Sequence, residues 1–230
     1  MQEKKKILVV AAHPDDEVLG CGGTIAKNAE NSDVFVTILG EGISSRYEKR
    51  EQAEKTELQE LQEQSQNACK ILGAKEVLFF SLPDNRFDKI EFLEIVKKVE
   101  QALEKFKPDI IYTHHFGDLN IDHRLTFQAV LTACRPTEKI LVREIYSFEI
   151  LSSTEWSQEK IEKPFIPNVY EDISLTIEKK IKALHEYKSE IKEFPHPRSL
   201  QGIEVLAQKR GMEAGLEYAE AFELIRHIKQ

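Results

Sequence analysis

Polar and apolar positions divide this chain into short uniform runs and longer periodic ones. The first run, "KILVVAA" (6–12), stays apolar after its lysine, the pattern of a strand buried on both faces of a parallel sheet. "EVLGCGGTIAKNAE" (17–30) reads as a helix whose glycines allow close packing on the sheet. "DVFVTILG" (33–40) is a second predicted strand. Within 46–73, Leu58, Leu61, Ala68, Ile71 and Leu72 recur at helical spacing and Gly73 supplies the stop. The charge run at 48–67 reads as a solvated helix face. "EVLFFSL" (76–82) is a third strand, halted by "PDN". Phe92, Ile95, Val96, Val99 and Leu103 line one side of a predicted helix over 90–106. "PDIIYTHH" (108–115), a helix over 121–134 halted by Pro136, and a strand "VREIYSFEIL" (142–151) complete the regular part.

Strands alternating with helices predict an α/β fold with a doubly wound, mostly parallel sheet, because parallel strands need crossover helices. After residue 151 the pattern changes to loop and short strand. Helices then fit 176–191 and 200–210, with a last short one near 215–228. The expectation is a single domain over 1–230, with a core of about 5–151 and a C-terminal extension, 152–230, placed to cover the site.

Composition narrows the class. With 230 residues, 41% of them hydrophobic, the chain has enough material for one proper core. A formal net charge of −8 argues against nucleic acid as a partner. No run of 18 apolar residues predicts a membrane span. The N-terminal apolar run is short and is followed by acids, so it reads as a strand rather than a leader. Cys21, Cys69 and Cys134 are far apart and odd in number. That fits small buried hydrophobes in a reducing cytoplasm rather than disulfides.

The chemistry concentrates where two strands end. His13, Asp15, Asp16 and Glu17 follow the first; His114, His115, Asp118, Asn120, Asp122 and His123 end or follow the fourth. Ligands of open α/β sheets bind at the carboxyl ends of strands, so the two clusters should share one edge. Adjacent acids repel one another, and a metal explains their being there. One imidazole and one carboxylate from the first loop, with one imidazole from the second, make a three-ligand zinc site with an open position for water. Asp15 then remains as a base beside that water, and Asp122 orients a ligand from behind. Without a metal, the same carboxylates would be helix caps and the histidines ordinary ones.

"AAHPDDEVLGCGGTIAK" resembles the signature of the PIG-L/LmbE family of zinc-dependent N-deacetylases. "DLNIDHR" (118–124) stands where that family carries a second motif ending in Asp-His, and "KIKALHEYKSE" (180–190) is similar to a further family stretch, Lys-x-x-Ala-x-x-x-Tyr-x-Ser. The resemblance implies a Rossmann-like sheet, zinc on His13, Asp16 and His123, and Asp15 as general base. It implies hydrolysis of an acetamido group on an amino-sugar derivative. It also allows homo-oligomers. The sequence departs from the family pattern in two places. Asn120 replaces a histidine credited with polarising the substrate carbonyl, and Leu61 and Gln64 stand where relatives have an Arg-x-x-Glu pair.

Further candidates come from the loops. "EFPHPRS" (193–199) holds His196 and Arg198 between prolines. His196 is a candidate proton donor to the leaving amine, and Arg198 a binder of phosphate or carboxylate. Asp84, after the third strand, and Arg46 are candidate substrate contacts. Trp156 could stack on a sugar or anchor packing. Arg198 and the charged loop at 44–50 point to a small acetamido sugar whose acceptor is anionic, nucleotide- or phosphate-linked. The competing readings are a metal-dependent phosphoesterase on the same residues and a non-catalytic sugar-binding relative.

Overall fold

The computed structural model describes residues 4–48, 50, 54–136, 142–157 and 162–229. Five strands occupy the five predicted runs: β1 (Lys6–Ala11), β2 (Asp33–Gly40), β3 (Glu76–Leu82), β4 (Ile110–His114) and β5 (Glu144–Phe148). Between them lie α1 (Asp16–Asn28), α2 (Lys55–Leu72), α3 (Phe92–Phe106) and α4 (Ile121–Ala133). The predicted helix over 46–73 begins only at Lys55, after a short 3-10 turn at Ser44–Arg46. Residues 49 and 51–53 of that prediction lie outside the described residues.

The uniform runs behave as expected of strands covered on both faces. Ile7, Val9 and Ala11 of β1 enter one core with residues of α1 and α2. Leu8, Val10 and Ala12 enter the other, with residues of α3 and α4. Gly20 and Gly23 let α1 lie flat. A β-carbon at Gly20 would run into the Phe148 ring, and one at Gly23 would lie 2.7 Å from Ile173 Cγ2.

Beyond residue 151 the chain differs from expectation. The predicted short helix near 215–228 is instead a strand, β7 (Ala219–His227), and a further strand, β6 (Val169–Asp172), pairs with it. β7 runs antiparallel between β5 and β6, giving the order β3-β2-β1-β4-β5-β7-β6 in one seven-stranded sheet. The residues from 152 on therefore supply two strands to the sheet as well as α5 (Ile177–Leu184) and α6 (Leu200–Ala214). The helix over 176–191 is cut to eight residues.

β7 forms where local propensity favours a helix, for a physical reason. "AEAFELIRH" is rich in helix formers, and its two glutamates look solvent-facing. Both are buried. Glu220 accepts from the backbone amides of Gly23 (2.9 Å) and Thr24 (2.7 Å) and from Lys180 Nζ (2.6 Å), itself buried on α5. Glu223 accepts from Ser147 Oγ (2.9 Å) and the Ile166 amide (2.8 Å), and pairs with His115 Nδ1 at 2.7 Å. Specific tertiary partners override local propensity here.

β1 pairs in parallel with β2 on one side and β4 on the other. Chain direction across the sheet reverses there, so the loops after β1 and β4 part and leave a crevice at their carboxyl ends. The site lies in that crevice.

Lys180→Met should leave Glu220 buried beside α1 without its cation. Breaking one side of a buried pair costs about 3–5 kcal/mol. Urea unfolding should show this loss, and adding Glu220→Gln should recover part of it, since the amide oxygen still accepts from α1.

Candidate metal centre

The turn after β1 presents His13, Pro14, Asp15 and Asp16, and the start of α4 presents Asp122 and His123. The crevice brings ligand atoms of His13, Asp16 and His123 within 4.8 Å of one another. Nδ1 of His13 lies 3.3 Å from Asp16 Oδ2, and Nε2 of His123 lies 3.3 Å from the same oxygen. All three residues come from the two sequence clusters that share this edge.

Each imidazole is backed by its own carboxylate. Asp122 Oδ2 meets His13 Nε2 at 3.0 Å, while its Oδ1 accepts from the Phe87 amide at 2.9 Å. Asp118 Oδ1 meets His123 Nδ1 at 3.1 Å. Asp118 is itself held by the Asn120 amide, Thr154 Oγ1 and Ser153 Oγ. Sequence reasoning placed Asp118 in the cluster but gave it no task; its spacing of five residues before His123 was the available signal. His114 lies beneath, buried, with Nε2 accepting from the Ala12 amide (2.8 Å) and its ring stacked on His123 at 4.0 Å between centroids. His115 points the other way, to Glu223, as strand alternation requires.

The electrostatics call for positive charge. Burial would discharge the imidazoles, yet the surrounding carboxylates outweigh it. His13 is raised well above its usual value by Asp122 and Asp16, and His123 is raised to about 9 by Asp16 and Asp118. Burial would raise the Asp16 carboxyl, but the facing His123 and His114 rings hold it well below the carboxylate range. Asp16 Oδ1 and His123 Nε2 are buried without a hydrogen-bonding partner. Buried donor atoms left without a partner, in a field that attracts cations, fit a divalent metal, and the two-His, one-carboxylate set suits zinc. A second cluster, His13 with Asp84 and Asp122, shares His13. Its oxygens are already engaged: Asp84 Oδ2 accepts from the Ser45 amide (3.1 Å) and Ser45 Oγ (2.6 Å).

A cavity of about 140 Å³ opens beside the three donors, lined by Asp15, Arg46, Asp84, Asn85, Asn120 and Arg198 among others. Asp15 sits at φ 109°, ψ −31°, and sends its carboxylate to Arg198 Nη1 at 2.8 Å. Burial raises this carboxyl well above its usual value against the pull of Arg198. Arg198 also donates through Nε to Ser152 Oγ at 2.7 Å. Arg46 pairs with Glu190. Asn120 caps α4, accepting from the Asp122 amide, and donates one Nδ2 proton to Asn85 Oδ1 at 2.9 Å. A larger cleft of 730 Å³, lined by Lys4, Lys107 and Arg143 among others, lies at the opposite edge of the sheet and contains none of these donors.

One expectation needs correction. His196 does not line the cavity. Its Nδ1 accepts from the Arg198 amide at 3.1 Å, and its ring stands edge-on to Trp156. It shapes the loop that carries Arg198 and is not placed to deliver a proton to a leaving group. Glu17 lies in the first turn of α1 and is fully buried.

A doubly wound α/β sheet with two histidines and an aspartate gathered at its switch point defines a Rossmann-like protein with a candidate hydrolase centre. A sequence profile of the PIG-L family, described as GlcNAc-PI de-N-acetylase, matches residues 8–134, and the chain belongs to that family. It is 27% identical over 202 residues to the uncharacterized deacetylase YaiS of Escherichia coli, covering 81% of this chain and 92% of that one. It is 25% identical over 239 residues to the diacetylchitobiose deacetylase of Thermococcus kodakarensis, covering 97% and 84%. The crystal structure of GalB, the 4-carboxy-2-hydroxymuconate hydratase of Pseudomonas putida, superposes with a TM-score of 0.77 at 23% identity, covering 98% of both chains. That likeness concerns the fold. No helix among the described residues is long and apolar enough to cross a membrane.

Asp118→Asn should weaken zinc binding by about 10–100-fold, the usual effect of losing a carboxylate behind a ligating imidazole. Chelator competition would measure it. Asp122→Asn should do the same through His13.

Proposed function

We propose that this chain is a zinc-dependent amidohydrolase that removes an N-acetyl group from an amino-sugar derivative. The observation that carries the reading is the position of Asp15. Its carboxylate enters the cavity beside the three donors but is not one of them, and Arg198 holds it there at 2.8 Å. A site serving only to hold a metal has no use for a spare carboxylate. The relatives named deacetylases support the reaction class.

Zinc on His13, Asp16 and His123 would supply a Lewis acid for the acetamide carbonyl and for the attacking water. Asp15 removes a proton from that water as its oxygen bonds to the carbonyl carbon. Asp15 then returns the proton to the nitrogen as the C–N bond breaks, giving acetate and a free amine. With His196 outside the cavity, Asp15 serves as base and then acid. Its burial raises its proton affinity in the direction both tasks require. Asn120 has one Nδ2 proton committed to Asn85, leaving the other to donate to the carbonyl oxygen as charge develops there. Asp118 and Asp122 keep the two imidazoles oriented.

The cavity also bears on the substrate. Sequence reading matched Arg46 and Arg198 to an anionic, nucleotide- or phosphate-linked acceptor. Both guanidinium groups are instead paired within the protein, with Glu190 and Asp15. Asp16 and Asp84 add two further carboxylates to the lining. A phosphate would have to displace an internal pair, so an uncharged acetamido sugar is the better fit. The phosphoesterase reading is disfavoured because the second donor cluster shares His13 and its Asp84 and Asp122 oxygens are engaged. We assign the reaction to the cytoplasm, in keeping with three buried free cysteines.

Zinc-loaded protein should release acetate from N,N′-diacetylchitobiose, and Asp15→Asn should lower turnover by about 10²–10⁴-fold, the range of general acid–base catalysis. Zinc content should stay unchanged. Undiminished turnover in that variant would remove Asp15 from its role. N-acetylglucosamine should also outpace its 6-phosphate by about tenfold or more in kcat/KM if unpaired charge is what the cavity rejects.

A further inference from the structure

Asp15 and Asp16 are neighbours in sequence, yet their carboxylates diverge. Asp16 turns to His13 and His123, and Asp15 turns to Arg198. The divergence depends on the Asp15 backbone, whose φ of 109° lies where side-chain-bearing residues are sparse. Such a conformation persists only where its surroundings over-determine it. The Asp15 carbonyl accepts from the amides of Val18 (3.0 Å) and Leu19 (2.9 Å), which starts α1. The Asp15 amide donates to Glu17 Oε2 at 3.1 Å.

Glu17 is well placed for that contact. It is fully buried, and its other oxygen accepts from the hydroxyl of Tyr187, which is also fully buried. Tyr187 lies just past α5, on the segment that closes over α1 and α2. Cys69 Sγ on α2 approaches the same Glu17 oxygen at 3.8 Å. A glutamate at the start of a helix ordinarily has solvent available. This one is wedged between α2 and the segment after α5, and it accepts from the backbone amide of Asp15.

We infer that Glu17, braced by Tyr187, is a positioning residue that fixes the Asp15 backbone so that its carboxylate stands beside the metal donors instead of among them. The inference rests on the reading of Asp15 as the base. It gives the last letter of "HPDDE" a task that helix-start electrostatics did not, and it gives Tyr187 one that packing alone would not require.

The test compares Glu17→Gln with Glu17→Leu in zinc-loaded protein, using N,N′-diacetylchitobiose. The glutamine keeps an acceptor for the Asp15 amide and can donate to the Tyr187 oxygen, so kcat should stay within about threefold. The leucine removes the acceptor, and kcat should fall about 100-fold, as a displacement near 1 Å at a reacting group does, with KM and zinc content nearly unchanged. Tyr187→Phe should fall between the two. Val36→Ala, a buried change far from the site, is the control for stability loss alone and should leave kcat intact. A folded, zinc-loaded leucine variant with wild-type kcat overturns the inference, as does a glutamine variant that falls as far as the leucine one. If the leucine variant does not fold, Tyr187→Phe decides: wild-type kcat there overturns the bracing. If wild-type protein does not turn over this substrate, the deacetylase reading fails for it and crystal structures of the two Glu17 variants decide the positioning. Loss of the positive φ and of the Asp15–Arg198 contact in the leucine variant alone supports the inference; an unmoved Asp15 in that variant overturns it.

Discussion

Three consecutive buried carboxylates set the terms for the rest of this structure. Asp15, Asp16 and Glu17 are all under 4% exposed at the start of one helix. The helix N-terminus favours negative charge, but only by about 0.3–1 kcal/mol per group at ordinary exposure. Each acid therefore needs a partner of its own, and each finds it in a different direction. Asp16 faces the imidazoles, Asp15 faces Arg198, and Glu17 faces Tyr187. The last two partners come from residues nearly 200 positions along the chain. The late segments thus do more than cover the site; they complete the charge pairing that the first turn of α1 requires.

This division explains which features were legible in the sequence. β1 to β5 and their helices declared themselves through apolar runs and periodic stripes, because both faces of the sheet are packed by helices. The metal donors were legible because two polar clusters each followed a predicted strand. β7 was not legible: its two glutamates are buried by partners on α5, α1 and β5 that no local pattern encodes. Asp118 and Glu17 escaped for a related reason. Their tasks are defined by one contact each, to His123 Nδ1 and to the Asp15 amide, and those contacts depend on backbone direction. The family resemblance supplied the ligand assignment, but the pairing of Arg46 and Arg198 with Glu190 and Asp15 joins residues far apart in sequence and arises only in the folded chain.

The segment "KIKALHEYKSE" shows how a weak motif acquires physical content. Lys180 is buried and holds Glu220, which in turn caps amides of α1. Tyr187 is buried and holds Glu17. Ala183 packs into the same core as Ile25 and Leu72. A short helix carrying Lys180 and the turn after it carrying Tyr187 each aim a polar group inward, and together they join β7, α1 and the turn after β1. Lys180 and Ala183 share one face of that helix, Tyr187 follows from the turn after it, and both polar groups act one layer behind the cavity.

Two protonated imidazoles would carry the same charge as one divalent ion, so the pull toward positive charge is common to a purely structural cluster and a metal centre. The difference lies in lone pairs. A structural cluster of carboxylates and imidazolium ions would use every buried oxygen, since an unmade hydrogen bond at such depth costs about 1–3 kcal/mol or more. Here Asp122, Asp84 and Asp118 do use theirs, each with backbone or hydroxyl donors. Asp16 Oδ1 and His123 Nε2 do not, and that nitrogen lies 3.3 Å from Asp16 Oδ2, the oxygen that faces His13 Nδ1. Engaged outer carboxylates around unpartnered inner atoms are what a preorganised ligand set requires, because the outer partners fix the direction in which the inner atoms aim. Asp15 is kept out of that set by the turn of its own backbone and meets Arg198 instead, which is the separation the proposed base requires.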